Sequence, residues 1–438
     1  MRYQRGYWPY FLLNVCLTIA YLLVLTRFAH SQANNSTSAT LPSPSGRFAI
    51  GRVTLHLTDN SRVETLAPDH RNRELMIDVW YPAEPQNGPR APYLDAAAFE
   101  RALGAKGLHS LLGDRATEIV AAGLIQTHAS EGAPFARPLK HVPLLIFSHG
   151  MGTVTQIHTA QIEDLVSHGY VVAAINHTYD AWLTVFPDGR AVPFEYKIRP
   201  SNSAPQDQRI AYENTRVEWW ANDIRFVVDA LTRQNRVSFG ALPFAGHLDF
   251  KRVGAFGHSV GGRAAARACQ LDHRFRACAD QDGVVGMLPF YLNEHGWGVD
   301  QPFMLIDRVR TTAPTEEELR RWGKTREQVN EEVAQLRAHR DATLARVGGG
   351  AYRVVLSFAP TNHMSFSDLM LLQSRDEAEA TIRARILRVT CDYTRAFFDK
   401  TLRGMKAPLL DGGTTGEFIE SIQRLPPAQK TRPKGRSF

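Results

Sequence analysis

Val253-Gly254-Ala255-Phe256-Gly257-His258-Ser259-Val260-Gly261-Gly262-Arg263-Ala264-Ala265-Ala266-Arg267-Ala268-Cys269 changes character at its middle. Val253 to Phe256 is a short apolar run that predicts a buried strand, and Val260 to Cys269, rich in Ala and Arg, predicts a helix. Ser259 stands at the joint, between Gly257 and Gly261. So sharp a strand-to-helix turn leaves no room for Cβ atoms beside the serine, so glycines flank it. The hydroxyl is then exposed above the sheet edge, at the N-terminus of the helix. This is the G-x-S-x-G nucleophile elbow. A Gly-rich turn that happens to contain serine would match the same five residues. The strand before it and the helix after it are what separate the two readings.

Outward from the elbow the chain alternates between strand and helix. Arg52 to Leu57 and Glu74 to Tyr81 read as early strands, and residues 94–125 as helical. Val142 to Phe147 is a dense apolar strand followed by Ser148-His149-Gly150-Met151-Gly152. A helix over Thr155 to Ser167 leads to the strand Tyr170 to Ile175, and a polar loop runs from Asn176 to Asn214. A long helix, Val217 to Leu231, precedes the elbow strand. Phe275 to Asp280, Phe303 to Ile306 and Tyr352 to Phe358 are the later strands, and a helix over Glu379 to Thr401 closes the core. Fully apolar strands alternating with helices predict a parallel sheet covered on both faces. A charged helical insertion lies within 307–350, with capping-box patterns at Thr315/Glu318 and Thr325/Gln328. Val329, Val333, Leu336, Leu344 and Val347 give it one apolar face. It reads either as a lid beside the site or as a surface helix pair packed on the body.

The N-terminus differs from the rest of the 438 residues. Arg2 and Arg5 precede an apolar run from Tyr10 to Leu25, and Arg27 and the small-residue stretch Ala29 to Ala33 follow. Residues 1–33 are therefore expected to be a cleaved secretory signal or an uncleaved membrane anchor. Residues 34–46, rich in Ser, Thr, Asn and Pro, read as a flexible linker, 47–405 as the catalytic domain and 406–438 as a C-terminal tail. Either fate of the first segment puts the folded part outside the cytoplasm, periplasmic or secreted, or associated with a membrane through that segment. Composition, at 44% hydrophobic and 22% charged, excludes a mostly disordered chain. The net charge of +7 includes Arg2, Arg5 and Arg27, so the remainder carries only +4. No nucleic-acid stripe is visible. Beyond Cys16, the cysteines Cys269, Cys278 and Cys391 allow at most one disulfide and have no zinc-site spacing. They are read as buried free thiols.

A serine hydroxyl needs a base, a group that orients the base, and donors for the oxyanion. In strand-turn-helix hydrolases the order is serine, acid, histidine. His363 follows the last strand and is the expected base; His273, His295 and His339 follow no terminal strand. Asp282, Asp307 and Asp280 all lie at or beside strand ends and are all open as the acid. The oxyanion donors are expected to be the backbone N–H groups of Val260, after the nucleophile, and of Met151, in the loop after Val142 to Phe147. This chemistry calls for no metal and no organic cofactor.

Five blocks, FSHGMG (147–152), DLVSHGYVVAAINH (164–177), RVGAFGHSVGG (252–262), DHRFRACADQD (272–282) and NHMSFSD (362–368), occur in that order. Together they resemble the platelet-activating factor acetylhydrolase family, plasma and isoform II type. The resemblance implies an α/β-hydrolase fold, with a mostly parallel central sheet and helices on both faces, to which the helical insertion read above adds a candidate lid. It prefers Asp282 as the acid and supports Ser259, His363 and the Met151 and Val260 amides. It implies a serine esterase acting on short acyl esters, with a small-molecule or lipid ester as partner. A general exported carboxylesterase or polyester hydrolase would use the same machinery, and a catalytically silent binding protein would normally have lost one of these residues. The chain departs from the family pattern after Asp282, where it reads GVVGMLP, and in the longer insertion at 307–350.

Overall fold

The computed structural model describes residues 41–428 except 122, 202–203, 238–241, 284–298, 310–313, 358–360 and 413–415. The N-terminal segment, His295 and the departure from the family pattern after Gly283 therefore lie outside the described residues.

The apolar runs become the strands of one ten-stranded sheet. β1 is Ala49–Val63, β2 Asn72–Ala83, β3 Ala129–Glu131, β4 Val142–Ser148 and β5 Val171–Asn176. β6 (Leu183–Val185) and β7 (Ala191–Pro193) form a separate hairpin inside the stretch expected to be polar loop. β8 is Leu248–His258, β9 Phe275–Gln281, β10 Phe303–Arg308, β11 Ala351–Leu356 and β12 Ile419–Leu425. The spatial order is β12-β11-β10-β9-β8-β4-β5-β2-β1-β3. The strands from β5 through β4, β8, β9 and β10 to β11 all run parallel, while β2 and β12 run antiparallel to their neighbours at the two ends of that block.

Among the described residues the helices of more than four residues are α1 (Ala96–Leu112), α2 (Asp114–Ala121), α3 (Thr159–Ser167), α4 (Gln206–Val237), α5 (Val260–Leu271), α6 (Glu316–Trp322), α7 (Arg326–Leu344) and α8 (Glu377–Arg403). Strand side chains alternate between the two covered faces, which explains why Leu144 to Phe147 of β4 and Val171 to Ile175 of β5 are apolar at every position. Val142, Leu144 and Ile146 of β4 pack with Trp220 and Ile224 of α4 and Ala264 of α5. Leu145 and Phe147 of the same strand face the other way, onto Ile162 of α3 and Phe397 and Phe398 of α8. The expected parallel sheet covered on both faces is what the chain forms. α8 begins at Asp376, whose side chain accepts the Glu379 N–H, and ends at Gly404 in the left-handed region, so both of its ends are capped.

Three expectations need correction. The segment 406–438 is more than a tail, because β12 within it pairs antiparallel with β11 and closes one sheet edge. Only Ile419 of that edge strand is buried, so its apolar signal is weak. The linker 34–46 is tied down at its end: Leu41 is buried, Ser45 bonds Asp164 at 2.8 Å, and Gly46 N–H donates to Ser167 Oγ at 2.9 Å. Cys269 and Cys278 are not free thiols but form a disulfide, and among the described cysteines Cys391 is the free one. α5 folds back onto β9, which brings Cα atoms nine residues apart in sequence to 6.6 Å. The charged insertion is the crossover from β10 to β11. Parallel neighbours cannot be joined by a hairpin, so α6 and α7 carry the chain back across the sheet. Leu344 and Val347 at its end are core residues.

The chain runs from β4 outward to β5, then crosses to β8 on the other side of β4 and continues to β9. The connections leaving β4 and β8 therefore diverge. In open α/β sheets the crevice at the carboxyl ends of two such strands is where ligands bind.

Candidate active site

Ser259 follows β8 directly and caps α5 with φ 57° and ψ −124°. A non-glycine residue held there costs on the order of 1–3 kcal/mol and persists only where the surroundings over-determine it. The surroundings here are backbone. A Cβ on Gly261 would strike the carbonyls of Ser148 and His149, and one on Gly257 would strike the Gly261 backbone. The glycines are thus required by close approach on both sides of the serine. Ser259 makes no side-chain cap bond to its own helix, so its hydroxyl is left for other partners.

His363 opens a short 3-10 turn, His363–Phe366, after β11. Asn362 fixes that turn: its side chain accepts the Met364 N–H at 2.8 Å, and its N–H donates to Ser365 Oγ at 2.7 Å. His363 Nε2 lies 3.0 Å from Ser259 Oγ, and His363 Nδ1 lies 2.6 Å from Asp282 Oδ2. Asp282 follows β9, itself at φ 56°. Its N–H donates to the Ile306 carbonyl at 2.8 Å, and its side chain is fully buried. Residues from three separate strand ends therefore converge in one line: hydroxyl, imidazole, carboxylate.

The other two acid candidates are engaged elsewhere. Asp307 Oδ2 takes two bonds from Arg353, at 3.1 and 2.9 Å, and one from Arg340 at 3.4 Å. Asp280 Oδ1 accepts the Gly283 N–H at 2.8 Å, and a Cβ on Gly262 would meet the same carboxylate. His273 is exposed and His339 sits on α7 beside Thr343. Among the described residues no group of three His, Cys, Asp or Glu side chains is arranged to hold a metal ion.

The loop after β4 lies against the elbow. A Cβ at Gly150 would come within 3.4 Å of Ser259 Cβ and 3.3 Å of His258 Nδ1. Met151 follows directly, and Val260 is the first residue of α5, so its N–H has no acceptor four residues back within the helix. The loop is walled by aromatic side chains. The Phe194 ring is 3.9 Å from where a Gly152 Cβ would stand, and Tyr212 Oη is 3.9 Å from Met151 Sδ.

Two functional neighbours were missed by the sequence reading. Arg308 Nε lies 2.9 Å from Asp282 Oδ2, the same oxygen that meets His363. Its signal was its place beside Asp307 at the end of FMLIDR. His258, between Gly257 and Ser259, is buried, and its Nε2 is 2.8 Å from the His363 carbonyl. Burial, followed by the neighbouring His363 and His158, pushes its imidazole well below the ordinary value. A neutral ring therefore donates from Nε2 to that carbonyl and ties the histidine loop to the elbow strand.

A family model for platelet-activating factor acetylhydrolase, isoform II, matches residues 33–375. A platelet-activating factor acetylhydrolase of Cavia porcellus is 24% identical over 58% of this chain and 56% of its own. One from Canis lupus familiaris is 28% identical over 44% and 45%. A probable 1-alkyl-2-acetylglycerophosphocholine esterase of Arthroderma benhamiae is 26% identical over 56% and 59%. The matched region thus spans about half the length of these curated relatives. The structure of a ferulic acid esterase from Streptomyces cinnamoneus superposes with TM-score 0.64 at 27% identity, covering 88% of this chain and 99% of that one. The sheet, its coverings and this likeness make the fold an α/β-hydrolase fold. With its family model matched over most of its length, the chain belongs to the platelet-activating factor acetylhydrolase, isoform II, family.

Proposed function

We propose that the protein is a serine esterase that cleaves short acyl esters. The observation that carries this reading is the line from Ser259 Oγ through His363 to Asp282, at 3.0 and 2.6 Å. Asp282 accepts the Nδ1 proton of His363, which leaves Nε2 free to take the proton of Ser259. The serine oxygen adds to the ester carbonyl as that proton moves to Nε2. Charge on the carbonyl oxygen is met by the N–H groups of Val260 and Met151. His363 returns the proton to the leaving alcohol as the acyl–alkoxy bond breaks. A water then loses its proton to Nε2, adds to the acyl-enzyme, and releases the acid and Ser259.

The relatives named as platelet-activating factor acetylhydrolases favour phospholipids with a short or oxidised sn-2 acyl group as the substrate. The aromatic wall of Phe194 and Tyr212 beside the Met151 loop suits an apolar substrate. A second reading, a general carboxylesterase, is favoured by the likeness to the ferulic acid esterase. Hydrolysis of a matched ester series, varying acyl length and headgroup, separates them. A phospholipase of this kind prefers the choline phospholipid over a simple alkyl or aryl ester of the same acid; equal or greater turnover of the simple ester supports the second reading. We further propose that the N-terminal segment places the enzyme outside the cytoplasm. A cytoplasmic soluble form that retains Met1 would contradict that placement. Among the described residues no helix is long and apolar enough to cross a membrane.

A further inference from the structure

A second serine–histidine–aspartate series lies behind the first. Ser148 Oγ at the end of β4 is 3.1 Å from His177 Nε2, and His177 Nδ1 is 2.8 Å from Asp223 Oδ2. All three residues are fully buried, so no substrate reaches them. Burial opposes a charge on Asp223, but Arg73, followed by the His177 bond and Arg62, outweighs it and holds the carboxyl well below the usual range. An ionised carboxylate only accepts, so His177 Nδ1–H donates to it. Burial also pushes the His177 imidazole below its ordinary value. The ring is therefore neutral, and its Nε2 accepts from Ser148. The Trp220 indole stacks on it at 4.1 Å between centroids.

The series continues toward the site through His149. The backbone N–H of His177 donates to His149 Nε2 at 3.2 Å. An N–H can only donate, so Nε2 is the bare nitrogen and the proton of this buried ring sits on Nδ1. Nδ1 lies 2.6 Å from the Gly150 carbonyl oxygen. That oxygen also receives the Thr153 N–H at 3.1 Å and Thr153 Oγ–H at 2.7 Å. Three donors thus fix the direction of one carbonyl. The peptide that carries it ends in the N–H of Met151, and in a planar trans peptide the two point in opposite directions. Downstream, Gly152 N–H is held by the Asp180 carbonyl at 2.9 Å, and Trp182 N–H by the Thr153 carbonyl at 2.9 Å.

We infer that His149, itself fixed by His177, is a positioning residue for the oxyanion site: through the Gly150 carbonyl it aims the Met151 N–H at the reacting carbonyl oxygen. This rests on the reading of Met151 as an oxyanion donor. Histidine suits the place because one ring accepts at Nε2 and donates at Nδ1. Phenylalanine keeps the shape and loses both bonds. Asparagine puts an N–H close to the Nδ1 position.

The test compares His149→Phe, His149→Asn, Thr153→Val and Ser259→Ala in the full chain, on one short-chain p-nitrophenyl ester. It also measures inhibition by the trifluoromethyl ketone of the same acyl chain, which forms a tetrahedral adduct on the nucleophile. His149→Phe is expected to lower kcat by roughly 10²–10³-fold, the loss found on removing an oxyanion donor. KM should change by less than about twofold, and ketone affinity should fall in step with kcat. His149→Asn should recover at least about tenfold of the loss. Thr153→Val, at a part-exposed position, should lower kcat by about tenfold. A folded His149→Phe with kcat and ketone affinity within about twofold of the parent, while Ser259→Ala is inactive, overturns the inference and leaves the esterase reading standing. If His149→Phe does not fold, an unchanged Thr153→Val overturns it equally. Parental turnover in Ser259→Ala overturns the esterase reading and this inference together.

Discussion

Asp282 and Asp307 both lie at strand ends, and replacing each by asparagine should damage different properties. Asp282→Asn removes the charge that faces the imidazolium formed at His363. The lost orientation and charge cost on the order of 10³–10⁴ in turnover, or about 4–5.5 kcal/mol of transition-state stabilisation. Asp307→Asn takes the counter-charge from Arg353, whereas Arg340 keeps Asp341 at 2.9 Å. Breaking a fully buried pair costs about 3–5 kcal/mol. These arginine side chains are 13% and 14% exposed, so water relieves part of that, and about 1–3 kcal/mol is expected. In a chain of this length each kcal/mol moves Tm by roughly 1–2 °C, giving a shift of roughly 1–6 °C. Turnover of Asp307→Asn, at matched folded concentration, should stay within about threefold of the parent. The assay is kcat on one ester together with the thermal midpoint for both variants. An inactive Asp307→Asn beside an active Asp282→Asn would refute the assignment and place the orienting carboxylate on β10.

Acidification should destabilise the protein before it denatures most carboxylate-paired folds. Burial holds His158 at about 4, and burial likewise lowers His149, His177 and His258. Between pH 6.5 and about 4 the unfolded chain binds protons that these folded imidazoles refuse, so stability falls as pH falls, by about 1.4 kcal/mol per pH unit from His158 alone. Thermal midpoints measured from pH 7.5 to 4.5 should fall steeply below pH 6.5, and a flat profile would contradict the neutral buried rings. Reduction of Cys269–Cys278 opens a short loop and should cost about 2–3 kcal/mol. A urea midpoint unchanged by reductant would show that the bond adds nothing. His258→Phe removes the donor to the His363 carbonyl and should lower kcat by about tenfold or more; a folded variant with parental kcat would show that the loop is held by Asn362 alone.

What could be read from the sequence was local. The elbow announces itself within ten residues, because strand, glycine-flanked serine and helix adjoin in the chain. The Ser148–Gly152 loop after β4 and His363 after β11 are equally local signals. The expected acid was not local: Asp280, Asp282 and Asp307 satisfy the same strand-end pattern, and what separates them is the 2.6 Å approach of Asp282 to His363, 81 residues further along the chain. β12 pairs with a strand more than sixty residues earlier, and its half-exposed residues carry little apolar period. The disulfide depends on how α5 folds over β9, which an odd cysteine count cannot specify. α7 looked like an insertion because charge dominates its surface, whereas its role as a crossover follows from β10 and β11 being parallel. The buried series Ser148, His177 and Asp223 spans 75 residues, and no spacing rule joins its members.

The most direct measurement is mass mapping of the intact protein after reaction with a fluorophosphonate. The account expects one adduct, on the peptide that contains Ser259. Ser259→Ala should take up none and should lose on the order of 10⁴-fold or more in turnover. His363→Ala should behave alike, because the residues of such a relay act as a unit. An adduct on any other serine, or undiminished labelling and turnover in Ser259→Ala, would contradict the central claim that the serine at the head of α5 is the nucleophile.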